Sequence, residues 1–151
     1  MEMKKKILVI NGPNLQLLGK REPQIYGSEN LEDISEKMAA SAEMKNLELE
    51  FFQSCIEGEI VERIGRIILD KDCDGIIINP GAYSHTSIAI LDAIKALSIP
   101  VVEVHLSNIH AREEFRHTSI TGKGAAGVIC GFGSYSYILA LEGIVNLLNR
   151  K

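Results

Sequence analysis

Five short apolar segments along the chain have the length and composition of β-strands. Their residues are 6–10, 47–52, 75–78, 100–104 and 126–130. The residues at 76–78 and 101–102 are all β-branched, so both alternating faces of these two segments are apolar. Strands that are apolar on both faces are typical of a parallel sheet that helices cover on each side. The pattern therefore predicts such a sheet.

Four further segments have apolar residues at helical spacing. The first helix is expected to begin after Asn30 as its N-cap. Ser54 and Glu57 form a capping-box pattern that predicts the start of the second. The third should begin near Thr86, and the last should run from about residue 134 to 149. The apolar residues expected on the buried faces are Leu31, Ile34, Met38, Ile60, Val61, Ile64, Ile67, Ile68, Ile90, Ala93, Ile94, Leu97, Ile138, Leu141, Ile144, Val145 and Leu148.

Strands and helices alternate along the whole chain, and this order predicts a doubly wound α/β fold. A chain of 151 residues suits one domain, so residues 1–151 are expected to form a single catalytic domain. For a chain this short, a flavodoxin-like domain is the first expectation. It would have a five-stranded parallel sheet, in the order 2-1-3-4-5, with helices on both faces.

Polar motifs follow three of the predicted strands instead of being scattered. Residues 11–14 follow the first strand and residues 79–87 follow the third. Residues 105–108 follow the fourth, with Arg112 and Arg116 shortly after them. Ligands of doubly wound sheets bind at the carboxyl ends of the strands, so these motifs predict a ligand site at that edge. The Asn-Gly-Pro-Asn motif at 11–14 is, taken alone, also a turn pattern.

The connection between the first strand and its helix has about twenty residues, whereas such loops usually have about two to six. Its central part, about residues 18–29, contains Arg21 and Tyr26. A loop of this composition can close over a site and exclude water, so an active-site lid is expected. Disorder is the other common reason for such length, and Tyr26 taken alone is more often a packing residue with a solvated hydroxyl.

Histidine, carboxylate and arginine side chains supply the candidate chemistry at this edge. His105 follows a buried strand directly, and Glu103 lies two residues earlier on the same face of that strand. Glu103 can orient the imidazole and favour its cationic form, or it is an ordinary paired core carboxylate. His85 belongs to the site or caps the next helix. Arg112 and Arg116 would share a face if their segment is helical, as an anion clamp or as a solvated surface.

The charge balance, 16 Lys and Arg against 20 Asp and Glu, argues against nucleic-acid binding, although it permits a local cationic pocket. The apolar segment near the start is only as long as a strand, so we expect neither a signal peptide nor a membrane span. Three separated cysteines, Cys55, Cys73 and Cys130, without a CxxC pattern, favour free thiols in a reducing compartment over a disulfide or a metal role. A cytoplasmic location is the resulting expectation.

Five motifs together resemble the type II 3-dehydroquinate dehydratases. They are Asn-Gly-Pro-Asn-Leu at 11–15, the segment 18–27 with Arg-Glu-Pro-x-x-Tyr-Gly, Asn-Pro-Gly-Ala-Tyr-Ser-His-Thr-Ser at 79–87, residues 103–116, and Gly-Val-Ile-Cys-Gly-Phe-Gly at 127–133. Their order and spacing run nearly from end to end of the chain. The resemblance is therefore far more specific than a single glycine-rich motif.

The resemblance implies a lyase of the shikimate pathway, which leads to chorismate and the aromatic amino acids. It implies dehydration of 3-dehydroquinate to 3-dehydroshikimate by anti elimination through an enolate, without a Schiff base. In this family Tyr26 would be the base, with Arg21 favouring its phenolate. Asn14 would hold a water or oxyanion contact of the enolate. His105 would be the general acid, oriented by Glu103.

The resemblance also implies a substrate-binding set, no cofactor and no metal. The substrate-binding residues would be Asn79, His85, Asp92, Leu106, Ser107, Arg112 and Arg116. Asn79 and the backbone of Leu106 and Ser107 would bind the carboxylate. His85, Asp92 and Arg116 would contact the ring hydroxyls, and the role of Arg112 is assigned less firmly. The family is usually a dodecamer built from trimers, so a homo-oligomer is expected.

Three departures from the family pattern are Gln16, Cys55-Ile56 and the segment 121–124. None of them is expected to touch the residues that the resemblance assigns to proton transfer. Two other functions compete with the dehydratase. A flavodoxin-like binding or signalling module would need an acidic pair or a phosphate loop after the first strand, and residues 11–14 supply neither. An inactive relative would be expected to lack proton-transfer residues, but all of them are present.

Overall fold

The apolar segments form one five-stranded sheet in a computed structural model, which describes residues 3–26 and 28–150 and only the backbone of Tyr26. The strands are β1 (Lys5–Asn11), β2 (Leu47–Gln53), β3 (Gly75–Asn79), β4 (Val101–His105) and β5 (Gly127–Cys130). All neighbouring strands are parallel, and their order is β2-β1-β3-β4-β5. The predicted fold class and strand order are confirmed.

The described part of the chain has five α-helices, which are α1 (Pro23–Tyr26), α2 (Leu31–Met44), α3 (Glu57–Asp70), α4 (Ile88–Lys95) and α5 (Tyr135–Leu148). All four helices expected from apolar spacing are present, and α1 is one turn within the predicted lid. Helices α2 and α5 cover one face of the sheet, and α3 and α4 cover the other. In the described part of the chain, no helix is long and apolar enough to cross a membrane.

The sheet separates two apolar clusters because β1, β3 and β4 alternate their side chains between its faces. Ile7, Val9 and Ile77 point toward α2 and α5, whereas Leu8 and Ile76 point toward α3 and α4. All these side chains are fully buried. This explains why residues 76–78 and 101–102 are apolar on both faces of their strands.

Two predicted helix starts had different outcomes. Asn30 caps α2 in a full capping box, because its side chain accepts a hydrogen bond from Asp33 N at 2.7 Å and Asp33 accepts one from Asn30 N at 3.1 Å. The capping box predicted at Ser54 is wrong, since α3 begins at Glu57 without a side-chain cap. Ser54 Oγ instead accepts from Ile56 N at 3.0 Å, a local bond that closes the turn before the helix.

Two glycines allow the loops after β1 and β3 to meet at the carboxyl edge of the sheet. A Cβ on Gly12 would lie 2.4 Å from the carbonyl oxygen of Pro80, which no side chain permits. Gly81 has a φ of +60°, and a Cβ there would lie 3.0 Å from the carbonyl oxygen of Pro13. Gly12 N also donates to Asn79 O at 2.8 Å. The two polar motifs are thus held side by side.

Candidate active site

A cleft lies at the carboxyl ends of β1, β3 and β4, where the sequence predicts a ligand site. Nine of the twelve residues predicted for the site line it. These are Asn14, Arg21, Asn79, His85, His105, Leu106, Ser107, Arg112 and Arg116. Residues far apart in sequence therefore converge because parallel strands end at one edge.

His105 is the last residue of β4, and its ring is tied to a buried carboxylate. Nε2 of His105 lies 2.8 Å from Oε2 of Glu103, and Glu103 has no exposed surface. Both side chains leave the same face of β4, as their spacing of two residues predicts. If the carboxylate is ionised it can only accept, so Nε2 carries a proton and Nδ1 is the ring nitrogen left for the cleft.

Ser119 and Thr121, which sequence reasoning missed, also bind this carboxylate. Ser119 Oγ donates to Glu103 Oε2 at 2.5 Å, and Thr121 Oγ1 donates to Glu103 Oε1. The segment 121–124 was expected not to touch the proton-transfer residues. The contact of Thr121 corrects that expectation, because Glu103 binds His105 directly. The one feature of the sequence that could have indicated these contacts is the pair of hydroxyl residues, two positions apart, before the last strand.

His85 lies beside His105 with nearly parallel rings, whose centroids are 6.3 Å apart. Its Nδ1 lies 2.9 Å from Thr118 O, and a carbonyl oxygen only accepts, so Nδ1 carries a proton. Burial lowers the pKa of His85, and the nearby His105 and Arg116 add to this effect. The imidazole is therefore neutral at pH 7. The alternative that His85 caps α4 is wrong, since Ser87 accepts from Ile90 N at 2.9 Å.

Arg112 and Arg116 both line the cleft, although the premise that they share a helix face is wrong. Their segment has two short 3-10 turns, Ile109–Ala111 and Glu114–Arg116. Arg116 Nε donates to Glu113 Oε2 at 3.0 Å, and Arg112 Nη1 donates to Ser107 Oγ at 3.4 Å. The hydrogen bond from Arg116 lowers the pKa of Glu113. One wall of the cleft is consequently cationic and suited to an anion.

Asn79 is held by a buried network that includes Tyr137, another residue without an assigned role in the sequence. Asn79 Nδ2 donates to Tyr137 Oη at 3.0 Å, and Tyr137 Oη donates to Asn11 Oδ1 at 2.6 Å. Gly81 N donates to Asn79 Oδ1 at 3.1 Å. Burial raises the pKa of Tyr137 far above its usual range, so its hydroxyl stays protonated. Tyr137 lies four residues before Leu141, and this helical spacing could have indicated from the sequence that its side chain faces the core.

Asn14 has a backbone conformation that is uncommon for a residue with a side chain. Its φ is +71°, in the left-handed region that asparagine tolerates better than most residues. It precedes the 3-10 turn Leu15–Leu17, but its side chain makes no capping hydrogen bond. Asn14 thus lines the cleft and its side-chain amide has no capping role. Backbone strain of this kind is common at functional sites.

The remaining predicted residues have three different placements. Arg21 lines the cleft, and its Nη2 lies 3.7 Å from Glu22 Oε2. Asp92 is exposed on α4 and does not line the cleft of its own chain. The side chain of Tyr26 lies outside the described residues. Within those residues, no group of three or more His, Cys, Asp and Glu side chains could hold a metal ion.

The fold and the cleft define a class of protein: a small parallel α/β enzyme with acid–base groups and cations at the carboxyl edge of its sheet. The chain belongs to the class II dehydroquinase family, whose model matches residues 5–145. A relative from Clostridium botulinum, named 3-dehydroquinate dehydratase, is 56% identical over 145 residues, which cover 96% of this chain and 97% of that protein.

Solved structures agree with this family. The type II dehydroquinase from Butyrivibrio crossotus is 46% identical and superposes with a TM-score of 0.91, covering 99% of this chain and all of that one. The type II dehydroquinase from Propionibacterium acnes is 42% identical, with a TM-score of 0.90, and covers 97% of this chain and 99% of that one. The likeness thus extends over nearly the whole chain.

Proposed function

We propose that this protein acts as a 3-dehydroquinate dehydratase, a hydro-lyase that converts 3-dehydroquinate to 3-dehydroshikimate in the shikimate pathway. The observation that carries the proposal is the pair of His105 and buried Glu103, 2.8 Å apart, at a cleft with a cationic wall in a class II dehydroquinase. The cytoplasm, where the three free thiols of this chain would remain reduced, is the proposed location.

The reaction begins with removal of a proton next to a ketone, and Tyr26 is the proposed base. A free tyrosine titrates near pH ~10, so its phenolate needs a neighbouring cation. Arg21, five residues earlier in the lid, lines the cleft and is the proposed source of that charge. The enolate that forms places negative charge on the ketone oxygen. Asn14, at the cleft with its amide uncapped, is the proposed polar contact for that charge, through a water or directly.

Loss of the hydroxyl group requires a proton donor on the other side of the ring, and His105 is the proposed general acid. Glu103 binds Nε2 and leaves Nδ1 to deliver the proton to the departing oxygen. Base and acid on opposite faces give anti elimination. The route needs no imine between a lysine and the ketone.

Substrate binding is proposed to use the anionic carboxylate and the ring hydroxyls. The free N–H of Asn79, together with the backbone of Leu106 and Ser107 after β4, would receive the carboxylate. His85 is neutral with a proton on Nδ1, so its Nε2 can accept a hydrogen bond from a ring hydroxyl. Arg116 would bind ring hydroxyls as well, and Arg112 would add positive charge to the same wall.

A homo-oligomer, a dodecamer built from trimers, is proposed from the family. Asp92 supports an assembly, because its predicted contact with the ring hydroxyls is not possible in a cleft that it does not line. A second subunit would have to supply this side chain. Co-expression of His105→Gln and Asp92→Ala chains tests the idea, since sites with intact His105 would receive Asp92 from the other chain. Activity above that of either variant alone is expected, and no gain would contradict a shared site.

The reaction itself is tested by the ultraviolet absorbance of the conjugated enone after addition of purified protein to 3-dehydroquinate. We expect the absorbance to rise, and to rise equally after borohydride treatment in the presence of substrate. Borohydride would trap an imine and abolish activity if a lysine were the nucleophile, which would overturn the proposed mechanism but leave the reaction. Absence of any rise with folded protein would contradict the proposed function.

A further inference from the structure

We propose that Ser119 and Thr121 are positioning residues for proton transfer: their hydroxyls fix the carboxylate of Glu103 and, through it, the ring of His105. This inference rests on the proposed function and deepens it. Neither residue lines the cleft, so neither acts by touching a substrate. Their contribution is to hold the imidazole ring of His105, the proposed general acid, in the orientation that proton transfer needs.

Three donors surround the Glu103 carboxylate, and each contacts it at a defined oxygen. Ser119 Oγ and His105 Nε2 lie 2.5 Å and 2.8 Å from Oε2, and Thr121 Oγ1 donates to Oε1. Glu103 and Thr121 have no exposed surface, so water does not compete for these positions. With a hydroxyl on each oxygen, the carboxylate cannot rotate about its last bond. The position of His105 Nε2 is fixed as a consequence.

The direction of the Ser119 hydrogen bond follows from Gly122. Gly122 N donates to Ser119 Oγ at 2.9 Å, so this oxygen is the acceptor there and its own proton is left for Glu103. A Cβ on Gly122 would lie 3.0 Å from Ser119 Oγ and 3.1 Å from Glu103 Oε2. The turn therefore packs directly against the carboxylate. A carboxylate that receives two hydroxyl protons remains an acceptor, which keeps the proton of His105 on Nε2.

The same segment, residues 118–122, also holds the second histidine of the cleft. Thr118 O accepts the Nδ1 proton of His85 at 2.9 Å, and Ile120 N donates to Ser84 O at 2.6 Å, next to His85. One short turn before β5 thus sets both rings, whose centroids lie 6.3 Å apart. Although the family resemblance places no functional residue in this turn, its contacts reach the acid and a substrate-binding ring.

Thr121→Val tests the proposal because valine keeps the shape of threonine and removes only the hydroxyl. We expect kcat to fall about 10-fold, the effect of losing a hydrogen bond to a charged group, with KM unchanged because Thr121 does not reach the substrate. Thr121→Ser keeps the hydroxyl and should restore most of kcat. Ser98→Ala is the control for loss of a hydroxyl: this serine is exposed, it lies outside the cleft, its hydroxyl makes no hydrogen bond in the described chain, and the variant should keep the wild-type activity. A Thr121→Ser variant as slow as Thr121→Val would overturn the proposal.

A spectroscopic readout separates this inference from the proposed function. In protein with ¹⁵N-labelled histidine, NMR of the His105 ring should show the Nε2–H tautomer in the wild type and a mixture of tautomers in Thr121→Val. Ser119→Ala should shift the same signals and serves as the second variant if Thr121→Val does not fold. Unchanged signals in both folded variants would overturn the inference. If wild-type protein has no dehydratase activity, the proposed function fails, and the NMR result still decides whether these hydroxyls position His105.

Discussion

Tyr137 of α5 joins the ends of two central strands through one buried hydroxyl. Its Oη donates to Asn11 Oδ1 at 2.6 Å and accepts from Asn79 Nδ2 at 3.0 Å. Tyr137 has no exposed surface, and the two asparagines are 2% and 3% exposed. Tyr137→Phe would keep the ring and remove only this oxygen. Both amides would then lose a partner at almost fully buried positions.

The expected cost follows from those two lost partners. A buried polar group without its hydrogen bond costs about 1–3 kcal/mol, so two such groups would cost ~2–6 kcal/mol. Because side-chain amides can rotate and recover part of the bonding, we expect the lower part of that range, ~2–4 kcal/mol. The same substitution at Tyr135, two residues earlier and 59% exposed, should cost less than about 0.5 kcal/mol.

Urea unfolding followed by far-ultraviolet circular dichroism would measure both variants, at one fixed protein concentration in case the chain assembles. We expect the Tyr137→Phe midpoint to fall clearly below that of the wild type, and the Tyr135→Phe midpoint to stay near it. Equal stability of Tyr137→Phe and the wild type would refute the reasoning. It would mean that neither asparagine depends on the hydroxyl for its hydrogen bond.

Three further predictions concern backbone packing, pH and thiol chemistry. Gly12→Ala should lower the free energy of unfolding by about 1–3 kcal/mol and reduce activity, because its Cβ would lie 2.4 Å from a backbone oxygen of the neighbouring loop; an unchanged thermal midpoint would contradict this. Burial lowers the pKa of His85, so the contribution of this residue to stability should be complete above pH ~6.5 and be lost as pH falls through the folded-state pKa. Urea midpoints of the wild type and of His85→Asn at several pH values would measure this pH dependence. Iodoacetamide should label Cys55, which is exposed with its pKa lowered by the backbone of Asn14, before Cys73, whose burial raises its pKa to about 11; equal rates by mass spectrometry would contradict this.

The sheet could be predicted from the sequence because its strands are apolar on both faces and short. Residues 76–78 can be buried on both sides only inside a covered sheet. The helix start at Asn30 was correct because its partner Asp33 follows at capping-box spacing. The Ser54 prediction was wrong because Ser-x-x-Glu also suits a local turn, and the sequence does not distinguish the two local hydrogen-bond patterns.

The site could be predicted where its residues directly follow strands, as His105 does. The fold then brings the residues together without any knowledge of side-chain contacts. Ser119 and Thr121 could not be found this way, because they reach Glu103 from 16 and 18 residues further along the chain. Asp92 shows a different limit of sequence reasoning. It is exposed on α4 and does not line the cleft of its own chain, so the substrate contact that the family implies would require the cleft of another chain.

The acid–base assignment is tested most directly by turnover of 3-dehydroquinate in three variants. Tyr26→Phe and His105→Gln should each reduce kcat by about 100-fold or more, the usual contribution of a base or acid in the transition state. His110→Gln is the control, because this histidine is exposed and outside the cleft, and it should keep the wild-type kcat. Circular dichroism should show that all three variants are folded. Wild-type turnover in folded His105→Gln or Tyr26→Phe would contradict the account.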